Sequence, residues 1–205
     1  LTDIKPFVSS SIYSLTMLQP NFVEKIKDEQ ILEMVRSPGT MELGYKMIFD
    51  IYKEELYGYI RKIVITHENA DDVLQNTLIK VFQNIAGFRG ESSLKSWIYS
   101  IAHRESLQLL RRNKRQATTR SEEITDRPEL FSDPYFRGEK VHQLLLEAVA
   151  SLPERQKQVF ELKYFEDFKY SEIAEILELT EGGLKSSYHH AVKKIKEFVR
   201  SNTFL

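Results

Sequence analysis

Between Met41 and Ile63 apolar side chains return every third or fourth residue: Met41, Tyr45, Ile48, Tyr52, Leu56, Tyr59, Ile60 and Ile63. That interval gathers them on one face of an α-helix, whereas a strand would need alternation, so a long amphipathic helix is predicted here. Val73, Leu74, Leu78, Val81, Phe82 and Ile85 repeat the interval, with Asp71 and Asp72 expected near the positive N-terminal end of their helix. Leu94, Trp97, Ile98, Ile101, Ala102 and Leu109 make a third stripe, and Gly87 and Gly90 stand at a junction between stripes. No segment alternates as a strand does, and no internal repeat is visible. The chain is constrained to be all-α.

Periodicity fails from Gln116 to Gly138, where Pro128, Pro134 and a run of polar residues read as a flexible linker. Counted through Glu139, this stretch carries six acids. Shorter helical units follow. Val141, Leu144, Leu145, Ala148 and Val149 form one, and "SLPERQKQVFELKYF" forms the next, with Ser151 expected as its cap and Pro153 in its first turn. Tyr170 to Val199 has helix-turn-helix logic. Ser171 is expected to cap a short helix that turns Ile173, Ala174, Ile176 and Leu177 inward, and Thr180 to cap the next. Leu184, Tyr188, Ala191, Val192, Ile195 and Val199 are the buried stripe of that last helix. The expected layout is therefore two small helical domains, 27–115 and 139–200, joined by a flexible linker at 116–138. Residues 1–26 are expected to be a poorly structured leader, with Met17 a candidate natural start.

Composition removes several function classes. The absence of cysteine excludes disulfides, thiolate metal sites and thiol nucleophiles. No apolar run approaches the roughly 18–20 residues of a membrane span, and the N-terminus lacks the pattern of a secretory signal, so a cytoplasmic protein without membrane insertion is expected. No phosphate-binding glycine loop, metal-ligand spacing or nucleophile–base grouping occurs, so the chain is not expected to be an enzyme or to need a cofactor or metal.

The net charge of −1 hides an uneven distribution. Residues 86–115 carry seven bases against two acids, 139–180 five against nine, and 181–200 five against two. Each domain thus ends in a basic helix. One such helix could merely complement its own dipole; two suit separate contacts with a polyanion. In the last helix Gly182, Gly183, Lys185, Ser186, Ser187, His189 and His190 fall off the apolar stripe, near the end that a recognition helix lays into the major groove. Two glycines there cost up to about 1 kcal/mol each, which close approach to a phosphate backbone would explain. His189 and His190 point about 100° apart and make a poor chelating pair.

"SLPERQKQVFELKYFEDFKYSEIAEILELTEGGLKSSYHHAVKKIKEF" resembles region four of bacterial RNA polymerase sigma factors, and "ADDVLQNTLIKVFQNIAGFRGESSLKSWIYSIAHRESLQLLRRNKR" resembles region two. These two regions alone, with a short linker, resemble the layout of the extracytoplasmic-function (ECF) group. The resemblance implies a non-catalytic transcription initiation factor. It would bind core RNA polymerase, recognise minus-ten and minus-thirty-five promoter elements and assist melting. Asp71, Asp72, Gln75 and Asn76 match the helix that docks on the polymerase. Arg89, Gly90, Glu91, Ser92 and Ser93 match the loop that captures an unstacked minus-ten base, while Lys95, Trp97, Tyr99, His103 and Arg104 lie on or near the DNA-facing helix. Trp97 shares the apolar stripe, so Lys95, Tyr99 and His103 are expected to be the more DNA-exposed. Arg111, Arg112, Lys114 and Arg115 would hold phosphates. Thr180, Gly182, Gly183, Lys185, Ser186, Ser187, His189 and His190 would face the minus-thirty-five element.

The chain departs from the family pattern at Arg104, where many members have Asn, at Ser187 and His190, where bases are common, and at Glu178, where Gly is usual. The acidic linker would pass near the polymerase active-site cleft, and an anti-sigma factor is an expected partner. The competing reading is an autonomous helix-turn-helix regulator. It accounts for the C-terminal domain and leaves residues 41–115 without a role.

Overall fold

A computed structural model describes residues 20–117 and 140–203, and every regular element among them is helical. The first domain comprises α1 (Pro20–Arg36), α2 (Met41–Val64), α3 (His67–Asn84) and α4 (Leu94–Ala117). The second comprises α5 (Lys140–Ala150), α6 (Glu154–Phe160), a π-helical turn (Glu161–Phe165), α7 (Tyr170–Leu177) and α8 (Glu181–Thr203). α1 begins inside the segment read as a leader, and α4 runs two residues into the expected linker. Residues 1–19 and the linker residues 118–138 lie outside the described residues.

Helix ends differ from the sequence reading in ways that local hydrogen bonds explain. α3 starts at His67, capped by the Thr66 hydroxyl, which accepts from Asn69 N at 3.3 Å. Asp71 and Asp72 therefore stand in the second turn, where little of the dipole field remains. Ser151 closes α5 by donating to Ala148 O at 2.7 Å, and Pro153 is itself the residue before α6. Ser171 lies inside the first turn of α7; the Glu172 carboxylate instead reaches back to accept from Lys169 N at 2.9 Å. Met41, the first residue of its stripe, projects past the packing and is 42% exposed.

α2 lies at the centre of the first domain, packed against α1, α3 and α4. Gly44 lets α1 approach: a Cβ there would stand 2.7 Å from Val35 Cγ2 and 2.9 Å from Val35 N. Ile48, Leu56, Ile60, Val81, Leu94 and Ile98 are fully buried in the resulting core. That core does not stop at the domain boundary. Val159, Leu162, Phe168, Ile173, Ile176 and Leu184 of the second domain belong to the same apolar cluster. A smaller cluster of Val149, Leu152, Phe160, Ala191 and Ile195 holds α8 onto α5 and α6.

The helix-turn-helix is α7, a three-residue turn and α8, with Ile173, Ile176 and Leu184 buried between them. Its turn depends on Glu178 at φ 55° and ψ 47°, the left-handed conformation in which glycine is unstrained. Relief of a left-handed cost of roughly 1–2 kcal/mol should outweigh the extra chain entropy of glycine, roughly 0.5–1 kcal/mol. Glu178→Gly is therefore expected to raise unfolding free energy by about 0.5–1 kcal/mol, measured as a higher urea midpoint at unchanged slope.

Candidate nucleic-acid interfaces

The loop between α3 and α4 is built on a fixed base. A 3₁₀ turn (Ile85–Gly87) ends α3, and Phe88 N donates to Ile85 O at 3.0 Å. Arg36 of α1 donates to Phe88 O at 2.6 Å, and the Phe88 ring packs on Trp97 with centroids 5.1 Å apart. Gly90 then takes φ 73° in open space, so conformation rather than crowding calls for glycine. The chain re-enters a helix at Ser93, whose hydroxyl accepts from Ser96 N at 3.1 Å, while Asp28 accepts from Leu94 N at 2.8 Å. Arg89, Gly90 and Glu91 are exposed and Ser92 and Ser93 half-buried. Together they line an open cleft of about 930 Å³ that Arg36, Lys169, Glu172 and Glu175 also border.

Along α4 the expected exposure is partly overturned. Trp97 is half-buried, as its stripe predicts, and Arg104, Arg111, Arg112, Lys114 and Arg115 are exposed. Tyr99 and His103 are not on an open surface: both are buried, Tyr99 completely. The reason is a second covered face of α4. Tyr99, His103 and Ser106 recur at helical spacing and are all buried: Tyr59 of α2 meets Tyr99 and His103, and α7 of the second domain packs on the same helix. Tyr99 donates to Glu166 Oε2 at 2.8 Å and meets the Phe168 ring edge-on at 4.9 Å. Burial, and then the adjacent Glu166 carboxylate, push the Tyr99 phenol far above its usual range. Lys95 pairs with Glu55 at 3.1 Å and also reaches Glu166 O at 3.4 Å.

His103 Nδ1 lies 2.9 Å from the Tyr59 hydroxyl. Burial lowers the imidazole to about 4; the Glu154 carboxylate opposes this, Arg104 adds to it and Glu178 opposes it. Tyr59 is raised by burial and then by Glu161, Glu166 and Glu154, so the phenol keeps its proton. A protonated phenol and a neutral imidazole thus share one hydrogen bond whose direction is set by the imidazole tautomer.

On α3, Asp71, Asp72, Gln75 and Asn76 are all exposed, on the side opposite the buried Val73, Leu74, Thr77 and Leu78. The sequence reading missed Ile79, which is 45% exposed one turn beyond Gln75 on that same strip. On α8, Gly182, Lys185, Ser186, His189 and His190 are exposed, as is Thr180 before the helix; Gly183 and Ser187 are half-buried. Arg155 of α6 was also missed: its guanidinium lies where a Gly183 Cβ would meet it at 3.1 Å, adding a cation to the N-terminal end of α8. Ring planes of His189 and His190 stand 62° apart, and the described residues include no group of acids or histidines able to hold a metal.

The family model for sigma-70 region 2 matches residues 48–116, and that for sigma-70 region 4 matches residues 142–195. The chain is 30% identical over 153 residues to RNA polymerase sigma factor YlaC of Bacillus subtilis, a match covering 71% of this chain and 86% of that one. It belongs to the ECF sigma factors. SigV of the same organism is 28% identical, covering 80% of this chain and 95% of its own length. The fold is shared with the sigma factor RpoE of Bartonella quintana, solved in complex with the anti-sigma factor NepR. That match has a TM-score of 0.63 at 21% identity and covers 77% of this chain and 98% of that one.

In this sigma factor the region 4 domain lies directly on the region 2 helix α4. The contact is charged as well as apolar: Lys62 pairs with Glu166 Oε1 at 3.1 Å, Lys157 donates to Lys62 O at 3.3 Å, and Ser93 donates to Glu172 Oε1 at 2.7 Å. His103 ties this arrangement to pH. Its pKa when folded lies below the ordinary value of 6.5, so its neutral form favours the folded state. That contribution is complete above pH 6.5 and is lost as pH falls toward 4. Between pH 7 and pH 5 the wild type should lose about 2 kcal/mol more than His103→Gln. Urea midpoints measured for both proteins across this range check it, since their shared carboxylates cancel in the difference.

Proposed function

We propose that this ECF sigma factor directs core RNA polymerase to promoters with a division of labour between its faces. The observation that carries the reading is the presence of region 2 and region 4, in order, on one chain. Core polymerase docks on the exposed strip of α3, where Asp71, Asp72, Gln75 and Asn76 offer carboxylates and amides to basic residues and Ile79 offers a central apolar contact. The loop 88–93 receives a minus-ten base once it has left the stack. Unstacking costs a few kcal/mol and is offset by hydrogen bonds to the base edge and by stacking on flat side chains. Arg104, Arg111, Arg112, Lys114 and Arg115 continue that path with phosphate contacts. The α8 face bearing Lys185, Ser186, His189 and His190, with Arg155 beside it, reads the minus-thirty-five element in the major groove.

The sigma factor works in the bacterial cytoplasm. Among the described residues no helix is long and apolar enough to cross a membrane. An anti-sigma factor is a further expected partner, supported by the shared fold with a sigma factor crystallised against one.

The deciding experiment reconstitutes the full chain with core polymerase and sequences the 5′ ends of the transcripts made in vitro. Discrete starts preceded by a common two-part element are expected; initiation no different from core polymerase alone would overturn the reading. In the same assay the double variant Asp71→Lys, Asp72→Lys should bind core polymerase about tenfold or more weakly. Its folding stability should change by less than about 0.5 kcal/mol, because both side chains lie on the surface.

A further inference from the structure

We propose that α1 is a splint for the base-capture loop, with Asp28 and Arg36 as positioning residues that hold its two ends in place before DNA arrives. The proposal rests on the reading of loop 88–93 as the receiver of a minus-ten base. It adds a helix that lies outside the region 2 family match, which begins at residue 48.

Spacing explains how one helix serves both ends. Ile31, Leu32 and Val35 are buried and fasten α1 to the core, and Gly44 lets it approach α2. Asp28, Leu32 and Arg36 follow at intervals of four, so the two charged residues leave the same side of α1, about 12 Å apart along its axis. Arg36 donates to Phe88 O at 2.6 Å, where the chain leaves the 3₁₀ turn. Asp28 accepts from Leu94 N at 2.8 Å, where the chain enters α4. Both contacts are charge-assisted, the stronger kind of hydrogen bond. The Asp28 carboxylate also meets the positive end of the α4 dipole.

The loop between these anchors is open. Arg89, Gly90 and Glu91 are exposed, and nothing lies within 4 Å of the place a Gly90 Cβ would take. Glycine brings more conformational freedom to be lost on ordering than any other residue. Pinning both ends reduces the ordering that base capture has to supply, which is how preorganisation raises affinity. Starting α4 does not by itself require Asp28, because the Ser93 hydroxyl already accepts from Ser96 N at 3.1 Å. The carboxylate from α1 is an addition that fixes where the loop ends.

The test uses the full chain assembled with core polymerase on a duplex promoter, the strongest template recovered in the 5′-end experiment. Permanganate reactivity of unpaired thymines reports the rate of opening. Asp28→Ala and Arg36→Ala should each slow opening roughly tenfold, the factor expected for loss of one hydrogen bond to a charged group. Affinity for core polymerase should stay within about twofold, which also shows that the variants fold. Asp28→Asn keeps an oxygen facing Leu94 N and should recover most of the rate. Glu29→Gln, which removes the same charge from the exposed neighbouring residue, should match wild type. The double variant Arg89→Ala, Glu91→Ala, made in the loop itself, should also open slowly. Normal opening in both α1 variants beside slow opening in the loop variant would overturn the splint. So would an Asp28→Asn protein no faster than Asp28→Ala, or a loss of polymerase affinity parallel to the loss of opening, since either marks a role in folding alone. If the loop variant opens normally, or no template shows a discrete start, the base-capture reading fails first and the splint falls with it.

Discussion

The Glu166 carboxylate sits almost dry between Lys62 and Tyr99, and an ion so placed costs several kcal/mol to desolvate unless its partners are already set. That requirement propagates. Tyr99 is fixed by the Tyr59 ring at 5.0 Å and by the edge of Phe168, and Tyr59 in turn by its bond to His103. Lys62 is steadied from two sides: its ammonium stands 4.4 Å from the Phe165 ring centre, and its carbonyl accepts from Lys157. A polar thread thus runs from the last turns of α2 through α4 into the C-terminal domain, beside an apolar cluster common to both. Domains in one chain are by default free to move against each other. Here the join is specific in geometry and dependent on charge.

Two demands meet on α4. As a structural helix it must bury Leu94, Ile98 and Ala102 against its own domain. As the proposed DNA-facing helix it must keep cations and hydrogen-bonding groups accessible. The bases Arg104, Arg111, Arg112, Lys114 and Arg115 are exposed, whereas Tyr99 and His103 are buried and Lys95 is half-buried where the C-terminal domain packs. Side and position on one helix therefore separate exposed cations from polar groups that the fold has buried.

Much of this was legible in the sequence because it is local. Apolar spacing set the long helices, and the unusual Glu178 marked a turn that adopts the left-handed backbone. The exposed sides of α3 and α8 also followed from periodicity. Cap positions were misplaced where two side chains competed for one role, as with Ser171 and Glu172 at the start of α7. The burial of Tyr99 and His103 was missed for a different reason. Their spacing with Ser106 was a readable second stripe, but what covers it comes from α2 and from the C-terminal domain. Helical period tells that a face is suited to packing; it does not name the partner. Ile79 and Arg155 belong to the same class, single residues whose neighbourhood is made by the fold.

The π-helical turn at Glu161–Phe165 has a consequence for how such a chain can diverge. A π turn holds about one residue more than the α turn it replaces. Loss of one residue from it, with return to α geometry, would therefore leave everything downstream facing about as it does now. The side chain lost would matter more than the rotation, because Glu161, Leu162, Lys163, Tyr164 and Phe165 each make a contact of their own. The wide turn is thus a place where the chain can change in length by one residue while Glu166 keeps its direction toward Lys62.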